Sequence, residues 1–96
     1  MTVRVRVGGH LRGADSRAAE LDVPPVADVV GLVRWLDSKF PGLRDRVFDE
    51  HDSTRPYINI FLNGENVREL DGEKTKVGDG DVIYILPSVA GGSHGL

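Results

Sequence analysis

Cysteine is absent from the 96 residues, and methionine and tryptophan occur once each. Without a thiol the chain forms no disulfide, carries no thiolate nucleophile and offers no cysteine-based metal site. Lysine is nearly as scarce: Lys39, Lys74 and Lys76 are the only ones, and the remaining basic residues are arginines. Twelve Lys and Arg face fifteen Asp and Glu, a net charge of -3. That balance gives no general attraction to nucleic acid or to an anionic membrane. No apolar run is long enough to span a bilayer, and Met1 leads into Val3-Arg4-Val5-Arg6-Val7 rather than into an apolar signal core. A cytoplasmic protein is expected. The length suits one domain with a core of its own and leaves little room for a buried catalytic cleft.

What is present is a change of period along the chain. Residues 2–7 alternate, with Val3, Val5 and Val7 on one face and Arg4 and Arg6 on the other, which predicts a half-buried strand. Arg17 to Val23 reads as a weaker returning strand, ended by Pro24-Pro25. From Val26 to Phe40 the apolar residues Val26, Val29, Val30, Val33, Leu36 and Phe40 recur every three or four positions, predicting a helix that Pro41-Gly42 stops. Leu43 to Phe48 predicts a short second helix, and residues 49–55 a polar loop. Alternation returns at Tyr57–Leu62, with Ile58, Ile60 and Leu62 inward, before the tight-turn pair Asn63-Gly64. Val67 anchors a short strand, and Val82–Leu86 forms the last one, with Ile83 and Ile85 inward and Val82, Tyr84 and Leu86 outward. Pro87 ends its ladder. One helix covering one face of a small mixed sheet is an α+β roll with a single core.

The order of these elements, the Asn63-Gly64 turn and the run DGDVIYILPSVAGG at 79–92 together resemble the ThiS/MoaD family of ubiquitin-like sulfur carriers, in particular the branch serving cysteine biosynthesis. The resemblance covers the chain up to Gly92. It implies a β-grasp domain over residues 1–87 and a tail over 88–96. It also implies a carrier with no catalysis and no bound cofactor of its own. In that family an E1-like adenylyltransferase uses ATP to activate the terminal glycine carboxylate, a sulfur donor displaces AMP, and the thiocarboxylate passes sulfur to a partner synthase. Carried over, Gly92 is the reacting residue, and Val89, Ala90 and Gly91 thread the partners' active sites. Ser93-His94-Gly95-Leu96 departs from the family pattern, because it leaves Gly92 in a peptide bond. Cleavage between Gly92 and Ser93 by a JAMM-type metalloprotease is therefore expected. The acceptor of the sulfur stays open.

Outward residues Phe61, Tyr84 and Leu86, bordered by Arg4 and Arg6, are expected to form a docking patch if the third and last strands are neighbours. Other signals carry little. His51-Asp52-Ser53 has triad residue types but no triad geometry in adjacent positions. Asp79-Gly80-Asp81 lacks the further oxygens of a calcium loop, so no metal is assigned. Asp28, Arg34 and Asp37 read as the wet face of the helix. Two other functions fit the same tail: a ubiquitin-like modifier joined through Gly92 to target lysines, and a binding module with an idle tail. A monomer is expected in isolation.

Overall fold

Val3, Val5 and Val7 have no accessible surface while Arg4 and Arg6 are exposed, so the first alternating run is a half-buried strand, β1 (Val3–Val7). The computed structural model describes residues 3–8, 19–24 and 26–87. Strand β2 (Ala19–Val23) returns antiparallel to β1, with Val3 opposite Val23 and Arg6 opposite Glu20. Next come α1 (Val29–Lys39), α2 (Leu43–Val47), β3 (Ile58–Leu62), β4 (Glu65–Asn66) and β5 (Val82–Pro87). The sheet order is β2-β1-β5-β3-β4. β5 lies at its centre, parallel to β1 and antiparallel to β3. The inward Val and Ile residues of β1, β3 and β5 pack with Val29, Leu32, Val33 and Leu36 of α1 in one core. This is the expected α+β, β-grasp architecture.

Local chemistry explains the boundaries. Helix α1 begins three residues after the expected Val26, because Asp28 caps it: the Asp28 carboxylate accepts from Gly31 N at 2.9 Å. The buried stripe is Val29, Leu32, Val33 and Leu36, whereas Val26 and Phe40 lie outside the helix and, like Val30, are half-buried. The helix ends at its C-cap Phe40, whose N–H donates to Leu36 O, and Gly42 then opens α2 at φ 95°, a conformation that disfavours a side chain. Asp37, read from sequence as solvated, accepts from both Gly42 N and Arg44 N at 3.1 Å and so ties α1 to α2.

Asn63 and Gly64, at φ 51° and 87°, form the two-residue hairpin loop between paired Leu62 and Glu65. Positive φ at both central positions matches the right-handed twist of the flanking strands. Val67 does not sit in a strand; it is buried in a 3-10 turn, Val67–Glu69, capped by the Asn66 side chain. Pro87 does not stand outside the last strand either. It occupies the final position of β5, opposite Ile58. A proline is tolerated there because the ladder needs no further donor beyond that point.

Candidate functional site

The face of the sheet turned away from α1 carries the even-numbered residues of β1 and β5 and the odd-numbered residues of β3. Register brings them into rows. Arg6 lies beside Tyr84 across the parallel pair, and Tyr84 stands directly opposite Phe61 across the antiparallel one. Opposed side chains at such positions have their Cβ atoms about 4.5–5.5 Å apart, close enough for aromatic rings to touch. Leu86 stands opposite Asn59, and Val82 beside Arg4. Tyr84 is 40% exposed, a large value for an aromatic residue on a central strand. Phe61, Leu86 and Val82 are half-buried. A shallow depression of about 330 Å³ is lined by Phe61, Asn63, Gly64, Val82 and Tyr84.

Phe61, Tyr84, Leu86, Arg4 and Arg6 therefore share one surface, as the alternation of their strands predicts. The arginines differ from a free basic border. Arg4 Nε lies 3.7 Å from Asp22 Oδ1, and Arg6 faces Glu20 across the β1–β2 pair. β2 thus offsets the positive charge that β1 contributes. Asn59 and Asn66 complete the patch on the other flank. Asn59 Oδ1 accepts from Arg68 Nη1 at 2.9 Å, and Asn66 Nδ2 lies 3.4 Å from the same oxygen. Asn59 has the parity of Phe61 in β3, so strand alternation alone could have found it.

At one end of this face the hairpin loop is clamped to the start of β5. Asn63 Oδ1 accepts from Val82 N at 2.9 Å, and Asn63 Nδ2 donates to Asp81 Oδ1 at 3.0 Å. The other Asp81 oxygen accepts from Gly78 N at 2.7 Å, so the Asp79-Gly80-Asp81 segment uses Asp81 to close a turn. Among the described residues no group of three or more His, Cys, Asp or Glu could hold a metal ion. No helix among them is long and apolar enough to cross a membrane. At the other end, Pro87 closes β5. Val89, Ala90, Gly91, Gly92 and Ser93, the expected threading, reacting and cleavage positions, lie outside the described residues.

The triad-like His51, Asp52 and Ser53 lie in a loop knitted for structure. Asp49 Oδ1 accepts from His51 N and Ser53 N at 2.8 and 3.1 Å, and those two bonds hold its carboxyl below the ordinary carboxylate range. Asp52, at φ 60°, receives bonds from Arg44 and Arg34. The Arg44 bond in particular lowers its pKa. Arg34, expected on the wet face of α1, is thus half of an ion pair.

Comparison with known proteins agrees with this architecture. The ThiS family model matches residues 5–92. The sulfur carrier protein CysO of Mycobacterium tuberculosis is 37% identical over 95 residues, covering 96% of this chain and all of that protein. Small archaeal modifier protein 3 of Haloferax volcanii is 36% identical over 66 residues, 69% of this chain and 71% of that one. Among solved structures, the Amycolatopsis orientalis BexX/CysO complex aligns with a TM-score of 0.75 and 31% identity, over 92% of this chain and 97% of that chain. A family match that begins inside β1 and runs on to the second glycine of the tail covers every element described above. The chain belongs to the ThiS family.

Proposed function

We propose that the protein is a sulfur carrier whose Gly92 carboxylate, once residues 93–96 are removed, is activated and converted to a thiocarboxylate. The observation that carries this reading is the extent of the family match, which stops at Gly92 and excludes Ser93-His94-Gly95-Leu96. Relatives named as sulfur carriers support it at 37% identity across the chain. A metalloprotease of the JAMM type adds water across the Gly92–Ser93 peptide bond and frees the carboxylate. A carboxylate oxygen then attacks the α-phosphorus of ATP in an E1-like partner, releasing pyrophosphate and leaving an acyl adenylate. A sulfide equivalent attacks the acyl carbon, AMP departs, and sulfur replaces one oxygen. The carrier supplies no catalytic group, so adenylation matters because it turns a poor leaving group into a good one.

The outer face around Phe61, Tyr84 and Leu86, with Arg4 and Arg6 beside it, is the docking surface in this scheme. Val89, Ala90 and Gly91 then enter the partner's site, first of the activating enzyme and later of a sulfur-accepting synthase. The solved complex containing a CysO supports partnership with a second protein. Similarity to a small archaeal modifier protein supports a second reading, a modifier conjugated through Gly92 to lysines.

One experiment separates them. The chain ending at Gly92, which lacks no described residue, is incubated with its cognate activating enzyme, ATP and a sulfur source. Exchange of one oxygen for sulfur in the intact mass is the expected result. Lysine-linked ladders in place of the thioacid would favour the modifier, and an unchanged mass would refute both. Protein isolated from its native cell is expected to end at Gly92; active carrier that retains Ser93 would refute the processing step.

A further inference from the structure

Gly8 directly follows β1 and is buried beside the end of β5. Its amide donates to Ile85 O at 2.9 Å, extending the parallel ladder by one bond. It is not among the glycines with positive φ, so backbone freedom does not account for a glycine here. Space does. A Cβ at position 8 would stand 3.1 Å from Pro87 Cδ, 3.5 Å from Ile85 O and 3.8 Å from Leu86 Cδ2. Pro87 Cδ belongs to a ring closed onto its own backbone nitrogen, so it cannot swing aside as the tip of a flexible side chain would. Relief of the contact displaces Pro87, the last residue of β5, by a few tenths of an ångström.

We propose that Gly8 is a positioning residue for the end of β5: its missing side chain lets the Pro87 ring settle against the end of β1 and so fixes where Pro87, the last residue of the strand, stands relative to the sheet. This deepens the reading of Gly92 as the reacting residue and rests on it. The docked globule sets where Pro87 stands, and the segment from there to Gly92 must bring one carboxyl carbon to a fixed point. Displacement of reacting atoms by about 1 Å is enough to slow a positioned reaction roughly a hundredfold, so whatever part of a shift at Pro87 reaches Gly92 is read as a fall in rate. The larger effect belongs in kcat, because among the docking residues only Leu86 borders the added methyl, whereas Phe61 and Tyr84 do not.

The test uses Gly8→Ala, Pro87→Ala and the double variant, in the chain ending at Gly92 for adenylation and in the full chain for spectroscopy. Gly8→Ala is expected to lower kcat for adenylation about tenfold, with a smaller change in KM for the carrier and the thermal midpoint preserved. Pro87→Ala removes Cδ, so the double variant should react at the rate of Pro87→Ala alone. Independent, additive losses would overturn the proposal, as would a wild-type rate for Gly8→Ala. A purely structural role predicts loss in proportion to unfolded protein and no rescue. Amide resonances of Leu86 and Ser88 provide a readout that needs no partner enzyme. Gly8→Ala should move them, and the double variant should match Pro87→Ala. Unmoved resonances overturn the steric claim, whereas a wild-type chain that is never adenylated overturns only the function on which it rests.

Discussion

Leu32 has no accessible surface and sits between Val29 and Leu36 on the buried face of α1. Truncating such a side chain removes its transfer free energy and leaves a cavity, together about 2–5 kcal/mol. Domains of this size are typically stable by only about 5–15 kcal/mol, so Leu32→Ala is expected to bring the urea midpoint down sharply. Val30→Ala, at a half-buried margin position, should lose less than half as much. Equal losses would mean that the helix face had been assigned wrongly. The sequence alone ranks these two in the opposite order. The apolar period from Val26 to Phe40 reveals that a helix exists, but Val26 and Phe40 fall outside it once Asp28 caps it, and the side that meets the sheet is set by packing in the folded molecule. The capping roles of Asp28 and Asp37 are hidden in the sequence, because a carboxylate's partner amide belongs to folded geometry and leaves no trace in residue type. Asn63-Gly64 was legible for the opposite reason: few dipeptides tolerate two positive φ values in succession.

The segment from α2 to β3 is held by carboxylates. Asp49 gathers the amides of His51 and Ser53, and Asp52 joins Arg44 and Arg34. Glu73 reaches across from a second 3-10 turn, Gly72–Lys74, to accept from Thr54 N and Oγ1 at 2.7 and 2.8 Å. Burial opposes ionisation of Glu73, but the bonds from Thr54 outweigh it, and its pKa ends below the ordinary 4.5. Asp49 and Asp52 likewise lie below the ordinary 3.8. A carboxyl with a depressed folded-state pKa stabilises the fold fully above its unfolded value, and that stabilisation is lost as pH falls through the folded value. All three therefore act in one direction. The thermal midpoint should be level from neutral pH down to about 5 and then fall as acid approaches and passes these pKa values. Asp52→Asn should start from a lower midpoint at pH 7 and show a shallower decline. A wild-type midpoint independent of pH between 6 and 3 would refute the assignment. None of this network was visible in the sequence beyond its polar character, since Arg44 and Asp52 are eight residues apart and meet because the loop after α2 folds back, with Asp52 at φ 60°.

For the molecule as a whole, the proposed function divides the labour between a sheet face that finds a partner and a C-terminal segment that delivers an atom. Alternation revealed which residues of each strand point outward, so Phe61, Tyr84 and Leu86 could be named; that β5 lies between β1 and β3 could be taken only from the family resemblance. The same central position explains why one patch unites Arg6, Tyr84 and Phe61, whose sequence separations are otherwise large. If docking and delivery are separate, they should separate in the kinetics of activation of the chain ending at Gly92. Phe61→Asp places a charge in the aromatic pair and should raise KM for the carrier roughly tenfold or more, equivalent to about 1.4 kcal/mol of lost binding. It should leave kcat and the thermal midpoint nearly intact, because Phe61 is only half-buried on the face away from the core. Deleting Val89 shortens the arm by one residue, about 3.3–3.6 Å when extended, and leaves the face untouched. That change should lower kcat about a hundredfold or more with little effect on KM. Exchange of these two patterns, or a common fall in both constants for both variants, would mean that the globule and its tail are recognised as a single surface.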